Sequence, residues 1–168
     1  MTLDLKLWHR NLIGGAVSAV ALAVIVVTML LPDWSGYRDT MHTETVVPVG
    51  ETGAAAGDSW RVGSVRHLNR SASARSPGLP EGTVITVVAI DRAGTADLVG
   101  CAGVITDGQH RWFAESIGGY GPLPPEGATG NCARPGPLQF SFLLPGDVVP
   151  TAVDVTDLQG RLVVRLLV

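Results

Sequence analysis

Cys101 and Cys132 are the only cysteines of the 168-residue chain. Two thiols about 30 residues apart make either one crosslink or two separately buried groups. Their spacing lacks the Cys-x-x-Cys arrangement that lowers a thiol pKa, which argues against a redox couple. If the segment faces an oxidising compartment a structural disulfide is expected. Closing that loop would constrain the unfolded chain by roughly 3 to 4 kcal/mol.

The other residues that could do chemistry are sparse. A serine hydrolase needs a nucleophile beside a histidine, yet beyond the amino-terminal tail the chain offers only His42, His67 and His110, with no Gly-x-Ser-x-Gly elbow. Ser141 stands between Phe140 and Phe142 and reads as an ordinary strand residue. Lys6 is the sole lysine, which removes Ser-Lys dyads, Schiff-base chemistry and Walker-type phosphate binding from the rest of the chain. His110 with Asp107 supplies two ligands at a turn, a pattern more typical of solvated turn residues than of a metal site. Leu123-Pro124-Pro125-Glu126-Gly127 matches a sorting signal only superficially, having no Thr-Gly and no apolar tail after it. No catalytic, cofactor-binding or metal-binding residue is therefore expected, and the chain is not expected to be an enzyme.

Charge narrows the partners. From Trp60 onward nine arginines meet nine acids, so this region is formally neutral and nucleic acid is not an expected partner. Arg61, Arg66, His67, Arg70 and Arg75 form a locally basic stretch. It could meet anionic headgroups or acidic polymers, or be a solvated loop dispersed among serines.

These residues must be positioned by two kinds of element. Residues 12–31 carry no charge, interrupted only by Gly14, Gly15, Ser18 and Thr28, a length that can cross the hydrocarbon core as one helix. Trp8 and Trp34 flank the run at headgroup level, and Lys6 and Arg10 before it oppose an acidic stretch after Pro32. Basic flanks stay in the cytoplasm. The expectation is a plasma-membrane anchor with residues 1–11 cytoplasmic and the remainder outside. A cleaved signal peptide is the rival, but its apolar region is usually shorter and ends at a small-residue site. Gly15, Ala19 and Ala23 form a small-residue stripe on which another helix could pack, or simply reflect membrane-helix composition.

After the anchor, residues 32–58 read as a flexible linker rich in glycine and alanine, with a short strand possible at residues 45–49. Residues 59–168 read as strands at about 60–65, 83–90, 98–106, 109–115, 138–144, 152–156 and 161–168. Asp107-Gly108 suggests a two-residue hairpin turn between the third and fourth. About seven strands without an amphipathic helix predict an all-β, immunoglobulin-like antiparallel β-sandwich, a small barrel being the alternative.

Pro80-Glu81-Gly82 before the second strand, Asp107-Gly108 before Arg111-Trp112, and residues 139–145 followed by 152–157 resemble the telokin-like, immunoglobulin-type domains of bacterial envelope proteins. The arginine-rich, nearly lysine-free composition is similar to that of actinobacterial envelope proteins. The resemblance implies architecture and an envelope location behind a signal anchor, without an activity. The lipid-anchored variant is not implied, because no lipobox cysteine is present.

One connection stands out. Residues 116–137 hold five prolines and six glycines, and irregular loops of that length are commonly functional or disordered. Tyr120, Leu123, Pro124 and Pro125 are the expected contact residues for a protein partner, since prolines limit the entropy lost on docking. The competing reading is a rigid cover over the sandwich. With a bilayer at residues 12–31 and a partner at this loop, the expected function is an envelope interaction module, an accessory subunit of a larger assembly. A small-ligand sensor is the alternative and an envelope hydrolase a more distant one.

Overall fold

In the computed structural model the apolar run begins within a helix, α1 (Leu3–Ile25), and continues through a π-helical turn, Val26–Leu30, that follows it directly. The described residues are 3–31, 34, 45–72, 78–94, 98, 100–116 and 119–168, with helix side chains described from Gly14 onward. Trp8, Lys6 and Arg10 side chains, residues 35–44 and Arg75 lie outside them. The first unit of the chain is Met1–Asp39 and the second Thr40–Val168.

The helix departs from expectation at both ends. It starts at Leu3, because the polar residues of the supposed tail form helix as readily as the apolar ones; helix propensity does not follow hydropathy. Its α-helical part stops at Ile25. There the β-branched Val26, Val27 and Thr28 crowd the preceding turn, and the Thr28 hydroxyl donates to the Val24 carbonyl at 2.7 Å. Among the described residues no helix is long and apolar enough to cross a membrane, so the single α-helical span expected at residues 12–31 is not found as one element. Gly15, Ala19 and Ala23 are on α1 and exposed.

The second unit is a sandwich of nine strands rather than seven. They are β1 (Val46–Val47), β2 (Gly53–Ala55), β3 (Asp58–Leu68), β4 (Thr83–Gly94), β5 (Cys101–Thr106), β6 (Arg111–Phe113), β7 (Leu138–Pro145), β8 (Ala152–Asp157) and β9 (Leu162–Leu167). Seven coincide with the expected strands. The two additions fall inside the supposed linker 32–58, β1 within the short strand allowed at residues 45–49 and β2 unforeseen, and the flexible reading is corrected from Thr45 onward. Val47 is buried and sits so close to Gly53 that a Cβ there would meet its methyl at 2.4 Å. The glycines that suggested a tether instead make turns: Gly50 and Gly57 have φ of 79° and 82°.

A five-stranded sheet runs β1-β9-β8-β5-β6 and a four-stranded sheet β2-β3-β4-β7. All pairings are antiparallel except β1 on β9, where Val46 and Val47 lie beside Arg165 and Leu166 in parallel. The inner faces meet through Trp60, Ile90, Ile105, Phe140, Phe142 and Leu166. Gly103 lies under the Phe140 ring, where a Cβ would come within 2.6 Å, so the space between the sheets is filled by side chains. β4 is buried on both faces, with Val88 and Ile90 inward and Ile85 and Val87 outward.

The Asp107-Gly108 pair marks a turn, but a four-residue one. β5 ends at Thr106 and β6 begins at Arg111. Asp107 Oδ1 accepts the amides of Gln109 and His110 at 2.7 and 2.6 Å. The aspartate side chain substitutes for the backbone bond of a two-residue turn.

Candidate functional site

The long connection between β6 and β7 is a strap across the outer face of the four-stranded sheet. On the β3 side, the Tyr120 carbonyl accepts the Ala72 amide at 3.0 Å and the Ser71 hydroxyl at 3.1 Å. On the β7 side, Gln139 Nε2 donates to the carbonyls of Pro122 and Leu123 at 3.1 and 3.3 Å. Residues 120–123 thus run from one flank of the sheet to the other. Beneath that path lie Ile85 and Val87, 0% and 1% exposed although they face away from the core. Gly121 must be glycine, since a Cβ would stand 2.2 Å from the Ser141 hydroxyl.

Each end of the strap is fixed by a charged or covalent device. At its start, Glu115 Oε2 accepts the amides of Tyr120 and Gly121 at 2.8 and 3.1 Å. The Glu115 amide itself donates to the Ser141 carbonyl at 2.7 Å. At its far end Cys132 is joined to Cys101 of β5, with Cα atoms 5.0 Å apart, as expected from the residues. Arg92 of β4 lies next to this crosslink, 4% exposed. Its Nε donates to Asp58 Oδ2 at 2.5 Å, its Nη1 reaches the carbonyls of Cys132 and Arg134 at 3.3 and 3.4 Å, and its guanidinium sits 5.4 Å from the Trp60 ring centre. A buried cation therefore holds the end of the strap through its backbone, and a buried carboxylate compensates the cation.

The expected contact residues separate in the structure. Tyr120 is half-buried and serves as a fastening point, so it is not part of the tip. Leu123 is 69% exposed, Pro125 is exposed and Pro124 half-buried. Pro125 and Ala128 close a turn at 3.0 Å with Gly127 at φ 85°. Between strap and sheet is a cleft of about 230 Å³ whose polar walls are Glu115, Ser116, Asn131, Gln139 and Ser141. Ile117 and Gly118 lie outside the described residues.

His110 Nδ1 and Asp107 Oδ2 approach to 3.0 Å on the exposed hairpin, and the imidazole tilts against Trp112 at 5.8 Å. The His110 amide, then its ring, then the Gln109 amide bond to the Asp107 carboxylate and hold its pKa down at about 2. Among the described residues no group of three or more His, Cys, Asp or Glu is placed to hold a metal ion.

A second ionic cluster had no signal in the sequence pattern. Asp154 of β8, 0% exposed, receives Nε and Nη2 of Arg165 at 2.7 and 2.8 Å and Nη2 of Arg111 at 3.2 Å on the outer face of the five-stranded sheet. Bonding to Asp154 raises the pKa of Arg165. Glu115, Gln139, Arg92 and Asp58 were equally silent, because their partners are main-chain atoms or residues distant in the chain.

No known protein family matches this chain, and no curated protein does so either. Among solved structures it is similar to an uncharacterised β-sandwich protein from Clostridium difficile, with a TM-score of 0.38 and 12% identity over 74% of this chain and 94% of that one.

Proposed function

We propose that the protein is a non-enzymatic interaction module, held at the outer side of the plasma membrane by its amino-terminal helix, which presents the Leu123 to Pro125 tip of the strap to a protein partner. The observation that carries this reading is the contrast within the strap. Its backbone is tied at Tyr120, Gly121, Pro122 and Leu123, yet the Leu123 side chain is 69% exposed. A leucine displayed on a fixed backbone loses little conformational entropy on docking, so most of its burial would count toward affinity.

Support for the membrane location comes from the chain and from exposure. α1 and the π turn follow without a break, and every side chain of residues 14–31 is exposed although most are apolar. Those residues together would make about 27 Å of helix at 1.5 Å per residue, close to the hydrocarbon thickness. A bilayer would cover a surface that water does not favour. The basic Lys6 and Arg10 set the amino terminus inside. The immunoglobulin-type resemblance adds architecture to this reading and no chemistry.

A small-ligand reading draws on the polar cleft under the strap, where a carboxylate, two amides and two hydroxyls converge. Its volume of about 230 Å³ suits a small ligand of roughly eight heavy atoms.

Photocrosslinking in intact membranes tests the proposal. A photoreactive residue at Leu123 is expected to give a discrete protein adduct. The same probe at Leu158, 65% exposed on another turn, is expected to give none. Equal labelling at both positions would reject the tip as a contact surface.

A further inference from the structure

Three residues of the basic stretch noted in the sequence lie on a strand rather than in a loop. Arg61, Arg66 and His67 lie on β3, and Arg70 follows just after it. β2 covers only Asp58, Ser59 and Trp60 of this strand. Residues 61–68 therefore have β4 on one side and, among the described residues, no strand on the other.

Which peptide groups face the open side follows from the hydrogen-bond parity of antiparallel strands. On β7, the Gln139 amide and the Ser141 carbonyl bond outward, to Thr129 and Glu115. Phe140 and Phe142 therefore bond to their register partners Val88 and Thr86 of β4. Ile85 and Val87 must then turn to β3, where their partners are Leu68 and Arg66. This leaves the amides and carbonyls of Val65 and His67 directed at the open edge, and no described residue bonds to them.

The arginines on this edge differ from those that the fold pairs internally. Arg92, Arg111, Arg161 and Arg165 are each paired with an aspartate. Arg61, Arg66 and Arg70 form no ion pair with a described residue, and all three are exposed. Asp91 stands across from Arg61 in register without closing one. The register shift between Val62 and Ser64 leaves Gly63 as an extra residue, so Arg61 and Arg66 are four ladder steps apart, about 13 Å, on the outward face.

We propose that the open edge of β3 at residues 64–68 accepts one extended strand from an acidic partner protein, whose carboxylates at positions i and i+4 meet Arg61 and Arg66. Main-chain bonds to Val65 and His67 supply the attachment, and the two arginines supply the choice of partner. The same charges disfavour a second copy of this chain, because edge-to-edge pairing would bring the unpaired arginines of both copies together. This surface is separate from the strap tip and does not depend on it.

The test uses the full-length chain in an uncharged detergent and a labelled peptide, Thr-Val-Glu-Val-Thr-Val-Glu-Val-Thr, read by fluorescence anisotropy and amide hydrogen exchange. Binding is expected, with slower exchange at Val65 and His67. N-methylation of either all the valines or all the other residues should abolish it, because one set of amides faces the protein. Joint Arg61→Glu and Arg66→Glu substitution should weaken binding about tenfold and restore it for the lysine version of the peptide. That rescue shows that the variant is folded. Binding that survives both N-methylations would overturn the proposal. So would equal binding to vesicles of anionic lipid without protection of Val65 and His67, or a dimer that protects those amides with no peptide present.

Discussion

Ile85 and Val87 on the outer face of the four-stranded sheet, and Val104 on that of the five-stranded sheet, are all withdrawn from water, but by different materials. Over the first, the chain itself is drawn across as a strap and tied by main-chain bonds, a disulfide and a buried arginine. Over the second, side chains gather beside it: Asp154 stands in register with Val104 and receives Arg111 and Arg165. A side-chain seal needs a few residues of strand. A strap needs a long connection, whose ordering costs entropy that the crosslink offsets in the unfolded state. The more expensive solution also presents Leu123 to solvent, and that is why the strap, rather than the ion cluster, carries the functional proposal.

The comparison can be broken most severely at Arg92. Asp58→Ala removes the carboxylate beside a cation that is 4% exposed, and is expected to lower unfolding stability by about 3 to 5 kcal/mol in urea denaturation. A loss under about 1 kcal/mol would mean that the strap carbonyls alone can hold the buried cation.

Next is the crosslink. Cys132→Ser should cost roughly 3 kcal/mol, and hydrogen exchange should quicken at Tyr120 and Gly121 before it does in β8 and β9. Uniform quickening across both sheets would show that the disulfide serves the whole sandwich and not the strap.

The smallest effect is expected at the ionic seal. Asp154→Asn leaves two guanidinium groups that are each about a third exposed, so water can replace the lost carboxylate. The expected cost is about 1 to 3 kcal/mol. A loss as large as that of Asp58→Ala would erase the distinction between the two faces.

Much of the strand layout is legible in the sequence because period-two alternation is a local signal: Phe140, Phe142 and Leu144 mark β7 by their spacing alone. The disulfide is legible because only two cysteines are available. β1 falls where a short strand at residues 45–49 is an open reading, whereas β2 is not legible, since three residues cannot establish a period and the glycines around it have the composition of a linker. The turn after Thr106 is located by Asp107-Gly108, but its length depends on where the aspartate side chain bonds. The strap is recognisable as a long loop, whereas its fastenings are invisible. Glu115 and Gln139 bond to carbonyls and amides that every residue possesses, so no residue type betrays the partner. Tyr120 shows the same gap: an aromatic near a loop tip suggests contact area, and nothing in its type announces that its backbone is a fixing point.

The parallel pairing of β1 with β9 has a bearing on how the protein is made. Val46 and Val47 find Arg165 and Leu166 as neighbours, so the first strand of the sandwich to leave the ribosome waits for the last. Until β9 emerges β1 has no neighbour to pair with, and β8, which β9 also flanks, lacks one neighbour until the same moment. Contacts between such distant parts of a chain slow folding, because the loop between them must be closed before the pairing is gained. Folding of the five-stranded sheet must therefore wait for β9 to emerge, while β3 and β4 can already pair. A nascent chain truncated before Leu162 should be open to protease at β1 and protected at β4.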